Sequence, residues 1–393
     1  MVSASANGGV HMPVRLGMVG GGQGAFIGAV HRIASRIDDR FRLVAGAFSS
    51  DSARAKASAA EFGVEEERAY SSYEEMARAE SARPDGIEAV SIVTPNHLHF
   101  GPAKAFLEAG IPVICEKPLT ARLEDALELQ AIVQASGGLF VLTHNYTGYP
   151  MMRQAREMVA ARELGQIRVV QVEYAQDWLT ERAEDSGSRQ AEWRVDPQKA
   201  GAAGALGDIG THAFNLVSFV TGLTLESVAA DLTAFVPGRR LDDNDHVMLR
   251  FAGGAKGMLW ASQVAPGHEN GFSLRVYGER GALGWHQEQP NHLWFTPFGE
   301  PKRLLTRNGP GARASSTRVS RIPSGHPEGY LEGFATIYRE AADAIEARRN
   351  GNSIPPGTLF PTIDDGVEAM RFIDACLRSS AQDSRWTRLR SDP

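Results

Sequence analysis

The sequence predicts an α/β protein: a doubly wound parallel sheet in the N-terminal part, then a second α/β domain built on a large, mostly antiparallel sheet. Three observations carry this prediction. Up to about residue 146, short apolar runs alternate with amphipathic helical patterns, as in chains that wind a parallel sheet. The first of these runs ends in Gly20-Gly21-Gly22-Gln23-Gly24, directly ahead of a helical stretch. Beyond about residue 225 the segments become short and alternating, separated by Gly, Pro and Asn turns.

A chain of 393 residues exceeds one ordinary core, so two domains are expected. We place a disordered lead over residues 1–13, a dinucleotide-type domain over 14–146 and a substrate-binding and oligomerisation domain over 147–393. A net charge of −6 argues against nucleic acid or an anionic membrane as partner. Two cysteines, Cys115 and Cys376, form no disulfide framework, and no apolar run approaches the roughly 20 residues of a membrane span. The first residues lack the basic and apolar regions of a signal peptide, so a cytoplasmic protein is expected. The histidines show no ligand spacing, and no metal is expected.

In chain order, Arg15–Val19 reads as a strand and Ala25–Ser35 as a helix, with Ile27, Val30, Ile33 and Ala34 at helical spacing. Between them the glycines permit a tight turn and let a pyrophosphate reach backbone N–H groups. Gly20, Gly22 and Ala25 fit the short fingerprint, and Gly28 offers a third position in a longer loop; an ordinary tight turn is the plain alternative. Phe41–Phe48 predicts a second strand, and the residues after it choose the cofactor. Ser49, Ser50 and Arg54 suit a 2′-phosphate, whereas Asp51 suits a ribose hydroxyl, so NAD and NADP both stay open. A strand over Gly86–Val93 stops at Thr94-Pro95-Asn96-His97. Another, Val113–Cys115, ends in Glu116-Lys117-Pro118, and Phe140–Thr143 ends in His144-Asn145. Carboxyl ends of parallel strands are where a doubly wound sheet binds ligands. There Lys117 can hydrogen-bond a substrate hydroxyl and shuttle its proton, although a solvated surface charge is the usual fate of lysine.

In the second half, Met151–Ala160 predicts a helix and Ile167–Tyr174 a strand. The polar stretch 176–199 carries Trp193 and Arg194. Trp193 suits the C–H face of a sugar ring or simply packs the loop; Arg194 pairs with Asp208 or touches substrate. Gly204–Leu216, GALGDIGTHAFNL, sets Asp208 and His212 one helical turn apart. A histidine can take a carbinol proton while the aspartate fixes it; the plain alternative is an N-cap and a packing residue. Six short strands from Ser227 to Thr296 predict an antiparallel meander. Residues 299–325, rich in Arg, Ser and Pro, predict an exposed arm. His326 either closes a sugar pocket or caps the helix Leu331–Arg348, and Asp364–Ser380 predicts a last amphipathic helix.

Together, GMVGGGQGAFIGAVH, VTPNHLH, CEKPL and GDIGTH, in this order, resemble the Gfo/Idh/MocA family of oxidoreductases. The resemblance spans about Arg15 to Ser380. It implies a Rossmann domain followed by a domain on a mostly antiparallel sheet, with the last helix packing back toward the first domain. It implies Lys117, Asp208 and His212 as catalytic residues. It also implies a homodimer or homotetramer through the second sheet. The cofactor site expected here comprises Gly20, Gly22, Gln23, Gly24, Ala25, Phe26, Ile27, Ser49, Ser50, Arg54, Thr94, Pro95, Asn96, His97, Glu116, Lys117 and Asn145. The substrate site comprises Lys117, Asn145, Trp193, Arg194, Asp208, His212 and His326. The expected activity is NAD(P)-dependent oxidation of a secondary hydroxyl of a sugar or inositol-like polyol to a ketone. The alternatives are glycoside cleavage through transient ring oxidation and a cofactor sensor without turnover.

Overall fold

A computed structural model describes residues 12–187 and 189–390, so residues 1–11 of the expected lead lie outside it. The chain runs β1 (Val14–Gly20), α1 (Phe26–Ile37), β2 (Phe41–Ala47), α2 (Ser52–Phe62), α3 (Tyr73–Ala82), β3 (Ala89–Val93), α4 (Phe100–Glu108), β4 (Val113–Cys115), α5 (Leu123–Ser136) and β5 (Phe140–Leu142). It continues through α6 (Pro150–Ala160), β6 (Ile167–Ala175), α7 (Arg189–Arg194), α8 (Pro197–Ala200) and α9 (Thr211–Thr221). Then come β7 (Leu225–Thr233), β8 (Asn244–Phe251), β9 (Lys256–Ser262), β10 (Gly271–Gly278), β11 (Gly281–His286), β12 (His292–Pro297) and β13 (Arg303–Thr306). The last elements are α10 (Ala314–Thr317), α11 (Tyr330–Arg349), α12 (Ile363–Ser380) and β14 (Thr387–Arg388).

Two compact units result. Of the described residues, the first holds 12–120, 124–148 and 330–367; the second holds 121–123, 149–187, 189–329 and 368–390. In the first, β2-β1-β3-β4-β5 form an all-parallel sheet. β3, β4 and β5 are buried throughout, which is why they read as near-continuous apolar runs. On one face Val14, Leu16, Phe41 and Ile114 meet Val30 and Ala34 of α1 and Phe334, Ile337 and Tyr338 of α11. A second cluster joins Met18 and Val93 to Phe48, Ala59 and Val64. Burying each Val, Leu, Ile, Phe or Met among them stabilises the fold by roughly 1.5–3 kcal/mol. The buried stripe of α1 differs from expectation: Ile33 is 42% exposed, while His31 is fully buried. Hydrogen bonds on both ring nitrogens are what let an imidazole take an apolar residue's place there.

The second unit is built on a nine-stranded sheet of order β13-β12-β11-β10-β6-β9-β8-β7-β14. The expected meander is interrupted: β6 inserts between β10 and β9 and runs parallel to β9. Along β8 the sides alternate, with Val247, Leu249 and Phe251 buried and His246, Met248 and Arg250 exposed. Helices cover the buried face, where Phe214 of α9 stacks on Phe372 of α12 at 4.6 Å.

Residues 299–325 are not a free arm. They contain β13 and α10, and Val319 and Ser316 are fully buried. Arg307 is buried because its guanidinium donates to Asn291, to the carbonyls of Ile322, Pro323 and His326, and pairs with Glu328 at 2.9 Å. A basic, Pro-rich composition reads as solvated; these bonds reverse that.

Candidate active site

In the first unit, β1 ends in a turn with Gly20 and Gly21 at φ of 78° and 67°, and α1 starts at Phe26. Gly28 is the close-packing position. A Cβ there would lie 2.4 Å from the Gly21 Cα and 2.6 Å from its carbonyl oxygen, so only glycine lets the helix sit on the turn. This is the third position of the longer loop. Ala25 at the N-cap offers no side chain to the first-turn N–H groups, which leaves them available to an anion. Gln23 is tied back, its backbone N–H to Ser58 Oγ at 3.1 Å and its amide to Glu61 at 2.7 Å. Phe26 is 62% exposed, and Ile27 packs against both apolar clusters.

At the end of β2, Asp51 caps α2: its Oδ1 accepts the Arg54 N–H at 2.8 Å, and its own N–H donates to Ser49 Oγ at 3.1 Å. Asp51 is therefore engaged by the helix it precedes. Ser49, Ser50 and Arg54 lie beside it.

Three strand ends collect polar groups. After β3, Thr94 Oγ1 donates to the Leu98 carbonyl at 3.0 Å; Asn96 is buried and His97 exposed. Past β4, Lys117 is half-buried and its bond to Pro118 is cis. Glu116 turns inward, with its carboxylate 2.9 Å from His31 Nε2 and bonded to the Thr143 hydroxyl. Burial alone would raise the Glu116 carboxyl. The His31 hydrogen bond and charge, with Lys117 and Thr143, outweigh it and hold Glu116 below the usual range. His99, which the sequence reading passed over, joins two of these ends, with ring nitrogens 2.8 Å from the Pro118 carbonyl and 2.9 Å from that of Thr94.

Beyond β5, Asn145 is buried and its Nδ2 finds no acceptor among the described residues. A buried amide in that state offers its donor to a ligand or water. With the Gly28 cradle and the uncapped α1, it fits a dinucleotide. Burial, with the Lys117 cation beside it, pushes His144 down to about 3. The unfolded chain therefore binds a proton that the native state refuses, so stability falls as pH drops from about 6.5 toward 3. Between pH 7.5 and pH 5 the protein should lose about 2 kcal/mol that a His144→Asn variant keeps, read by denaturant unfolding at both pH values.

The second unit carries Asp208 and His212. The helix enters earlier than expected: a π-turn over Leu206–Gly210 leads straight into α9, and Asp208 lies within it. Asp208 is thus no N-cap. That role belongs to Asp242, whose carboxylate accepts the N–H groups of Gly204 at 2.7 Å and Leu206 at 2.8 Å. A Cβ on Gly204 would stand 2.1 Å from the Asp242 carbonyl oxygen, so the small residue permits this approach. With the helix start capped elsewhere, the Asp208 carboxylate turns to Arg194 Nε at 3.0 Å and Gln263 Nε2 at 2.9 Å. Arg194 does pair with Asp208. Its guanidinium lies 4.2 Å from the Trp193 ring centre and 5.9 Å from that of Trp178, whose indole N–H donates to Gln176. His212, 8% exposed, faces the Tyr174 ring at 6.3 Å.

One group therefore unites Asp208, Arg194, Trp193 and two residues that the sequence reading missed, Gln263 and Gln176. Gln263 follows β9 directly, and a polar residue at that strand end was the available signal. His326 stands apart from the group as an exposed residue whose carbonyl holds Arg307. An aspartate fixed by two donors one helical turn from a histidine can accept a substrate hydroxyl while the histidine moves a proton.

Comparison with known proteins follows these features. Residues 14–144 match the family described as oxidoreductase family, NAD-binding Rossmann fold, and residues 152–284 match the GFO/IDH/MocA C-terminal domain. The chain is 36% identical over 381 residues to the uncharacterized oxidoreductase YfiI of Bacillus subtilis, covering 96% of this chain and 97% of the relative. It resembles the crystal structure of an oxidoreductase from Sinorhizobium meliloti with a TM-score of 0.87 at 57% identity, covering 96% of this chain and 99% of that one. An inositol dehydrogenase homolog from Azotobacter vinelandii, complexed with NADH and myo-inositol, matches with a TM-score of 0.89 at 36% identity over 96% and 98% of the two chains.

Proposed function

The chain belongs to the Gfo/Idh/MocA family of oxidoreductases, and from that premise we propose a dehydrogenase that oxidises a secondary hydroxyl of a sugar or inositol-like polyol to a ketone with NAD or NADP. The observation that carries this reading is the Asp208 carboxylate, held by Arg194 and Gln263 one helical turn before His212. The myo-inositol complex of the Azotobacter vinelandii relative supports the substrate class. When bound, the nicotinamide supplies the hydride acceptor. The glycine turn before α1 and the Asn145 amide hold the dinucleotide, together with the turn Thr94–His97. In this reading His212 takes the carbinol proton, and Lys117 can hydrogen-bond a substrate hydroxyl. Asp208 hydrogen-bonds a neighbouring hydroxyl, and the face of Trp193 lies against the ring's C–H bonds.

The same reading makes the protein a homodimer or homotetramer through the open face of the second sheet, where Met248 and Met258 are more than half exposed. It also makes the protein cytoplasmic: Cys115 and Cys376 are both free thiols, and no helix among the described residues is long and apolar enough to cross a membrane.

Absorbance of the reduced nicotinamide tests the function, with purified protein, NAD or NADP, and a panel of inositols, aldoses and glycosides. Net reduction with one polyol supports the dehydrogenase; glycoside consumption that needs cofactor without net reduction overturns it. The cofactor choice has its own test. Asp51 is engaged in capping α2, so a Ser49→Asp variant places a new acid against a 2′-phosphate, and the NAD:NADP ratio of kcat/KM should rise about tenfold or more.

A further inference from the structure

Behind Glu116 lies a buried chain of polar groups that the proposed chemistry does not use. Tyr338 of α11 places its hydroxyl 2.7 Å from His31 Nδ1 and 2.9 Å from Ser91 Oγ, and Ser91 lies 3.2 Å from the same ring nitrogen. His31 Nε2 stands 2.9 Å from Glu116 Oε1, which also takes the Thr143 hydroxyl. His31, Ser91 and Thr143 are fully buried, and Tyr338 is 1% exposed. An ionised carboxylate only accepts, so the hydrogen on that side of the imidazole sits on Nε2. Stabilising a fold does not require this arrangement. A buried polar network repays its desolvation only if every member is satisfied, and an apolar set of the same volume packs as well. What it does supply is one fixed orientation for a carboxylate in the residue next to Lys117.

We propose that His31, braced by Tyr338 and Ser91, is a positioning residue that locks Glu116 as a buried anion and thereby sets the charge environment of Lys117. The role deepens the reading in which Lys117 acts on the substrate oxygen, and rests on it. Besides Lys117 and His31, the titratable groups electrostatically coupled to Glu116 are Cys115, His99, His144 and Tyr338. Burial lowers both histidines, and Cys115 and Tyr338 carry no positive charge in either protonation state.

The test reads Lys117 without turnover. The pH dependence of Lys117 modification by an amine-directed acylating reagent is followed by peptide mass spectrometry on the cofactor-free protein. His31→Leu and Glu116→Gln should each move the labelling midpoint down by about one pH unit, because the ammonium loses its anion. The double variant should move it no further than Glu116→Gln alone, the mark of one pathway. His31→Gln, which can still donate to Glu116, should restore most of the shift. Tyr338→Phe keeps the packing and removes only the hydroxyl; it should give a smaller shift in the same direction, which guards against an unfolded His31→Leu. An unchanged midpoint in folded His31→Leu, or additive effects in the double variant, overturns the proposal. Activity of Lys117→Ala is measured separately: turnover retained there sinks the role of Lys117 in catalysis and leaves the labelling result to stand alone.

Discussion

His212→Ala is expected to lower kcat by about 10²–10⁴-fold, the range in which a positioned general base contributes. NADH binding, followed by fluorescence, should stay within about threefold of wild type, because the glycine turn and Asn145, and not His212, are assigned to hold the dinucleotide. A loss confined to kcat separates proton transfer from packing. Were His212 only a packing residue, the variant would unfold at lower denaturant and keep its turnover. Asp208→Asn is the companion. Asparagine keeps the volume and can still accept from Arg194 or Gln263, but the charge that anchors both donors is gone. Its kcat should fall less than that of His212→Ala, with a rise in KM for the polyol.

Gly28→Ala should act on the cofactor instead. The added Cβ meets backbone atoms of Gly21 at 2.4 and 2.6 Å, and no flexible side chain is there to yield. Either α1 lifts from the turn or the turn opens, and overpacking of this kind costs about 1–3 kcal/mol. Much of that cost falls on the conformation that presents the first-turn N–H groups, so NADH affinity should drop about tenfold to a hundredfold. Titration of NADH fluorescence checks it. Affinity unchanged in a folded Gly28→Ala variant would show that the turn does not carry the pyrophosphate.

Both sites were legible in the sequence to a degree set by how local their physics is. The fully buried parallel strands were readable because burial on both faces makes each a continuous apolar run, as in VIC of β4 and FVL of β5. The glycine turn and its helix lie within one stretch, so the pattern and the contact coincide. Pairing partners are another matter. Nothing in IRVVQVEYA says that β6 will insert between β9 and β10, since alternation names a face and not a neighbour. The cap that frees Asp208 comes from Asp242, 38 positions away from Gly204, and no local rule reaches that far. His31 hides for a related reason. On α1 it sits among apolar positions, and its burial depends on Tyr338 and Glu116, which only the folded chain brings to it. Arg307 reads as solvent-exposed until five partners enclose it. What stayed illegible, then, was polar burial satisfied over long sequence distances.

The central claim is that a carbinol hydrogen passes as hydride to the nicotinamide while this chain's own residues take the proton. The most direct measurement uses a polyol that the protein turns over, deuterated at the oxidised carbon, with the isotopic content of the nicotinamide product read by mass spectrometry. One deuterium per reduced nicotinamide, with an equal amount of ketone, is the predicted result. Reduced cofactor without deuterium, or substrate consumed with no deuterium appearing in the nicotinamide, would contradict it.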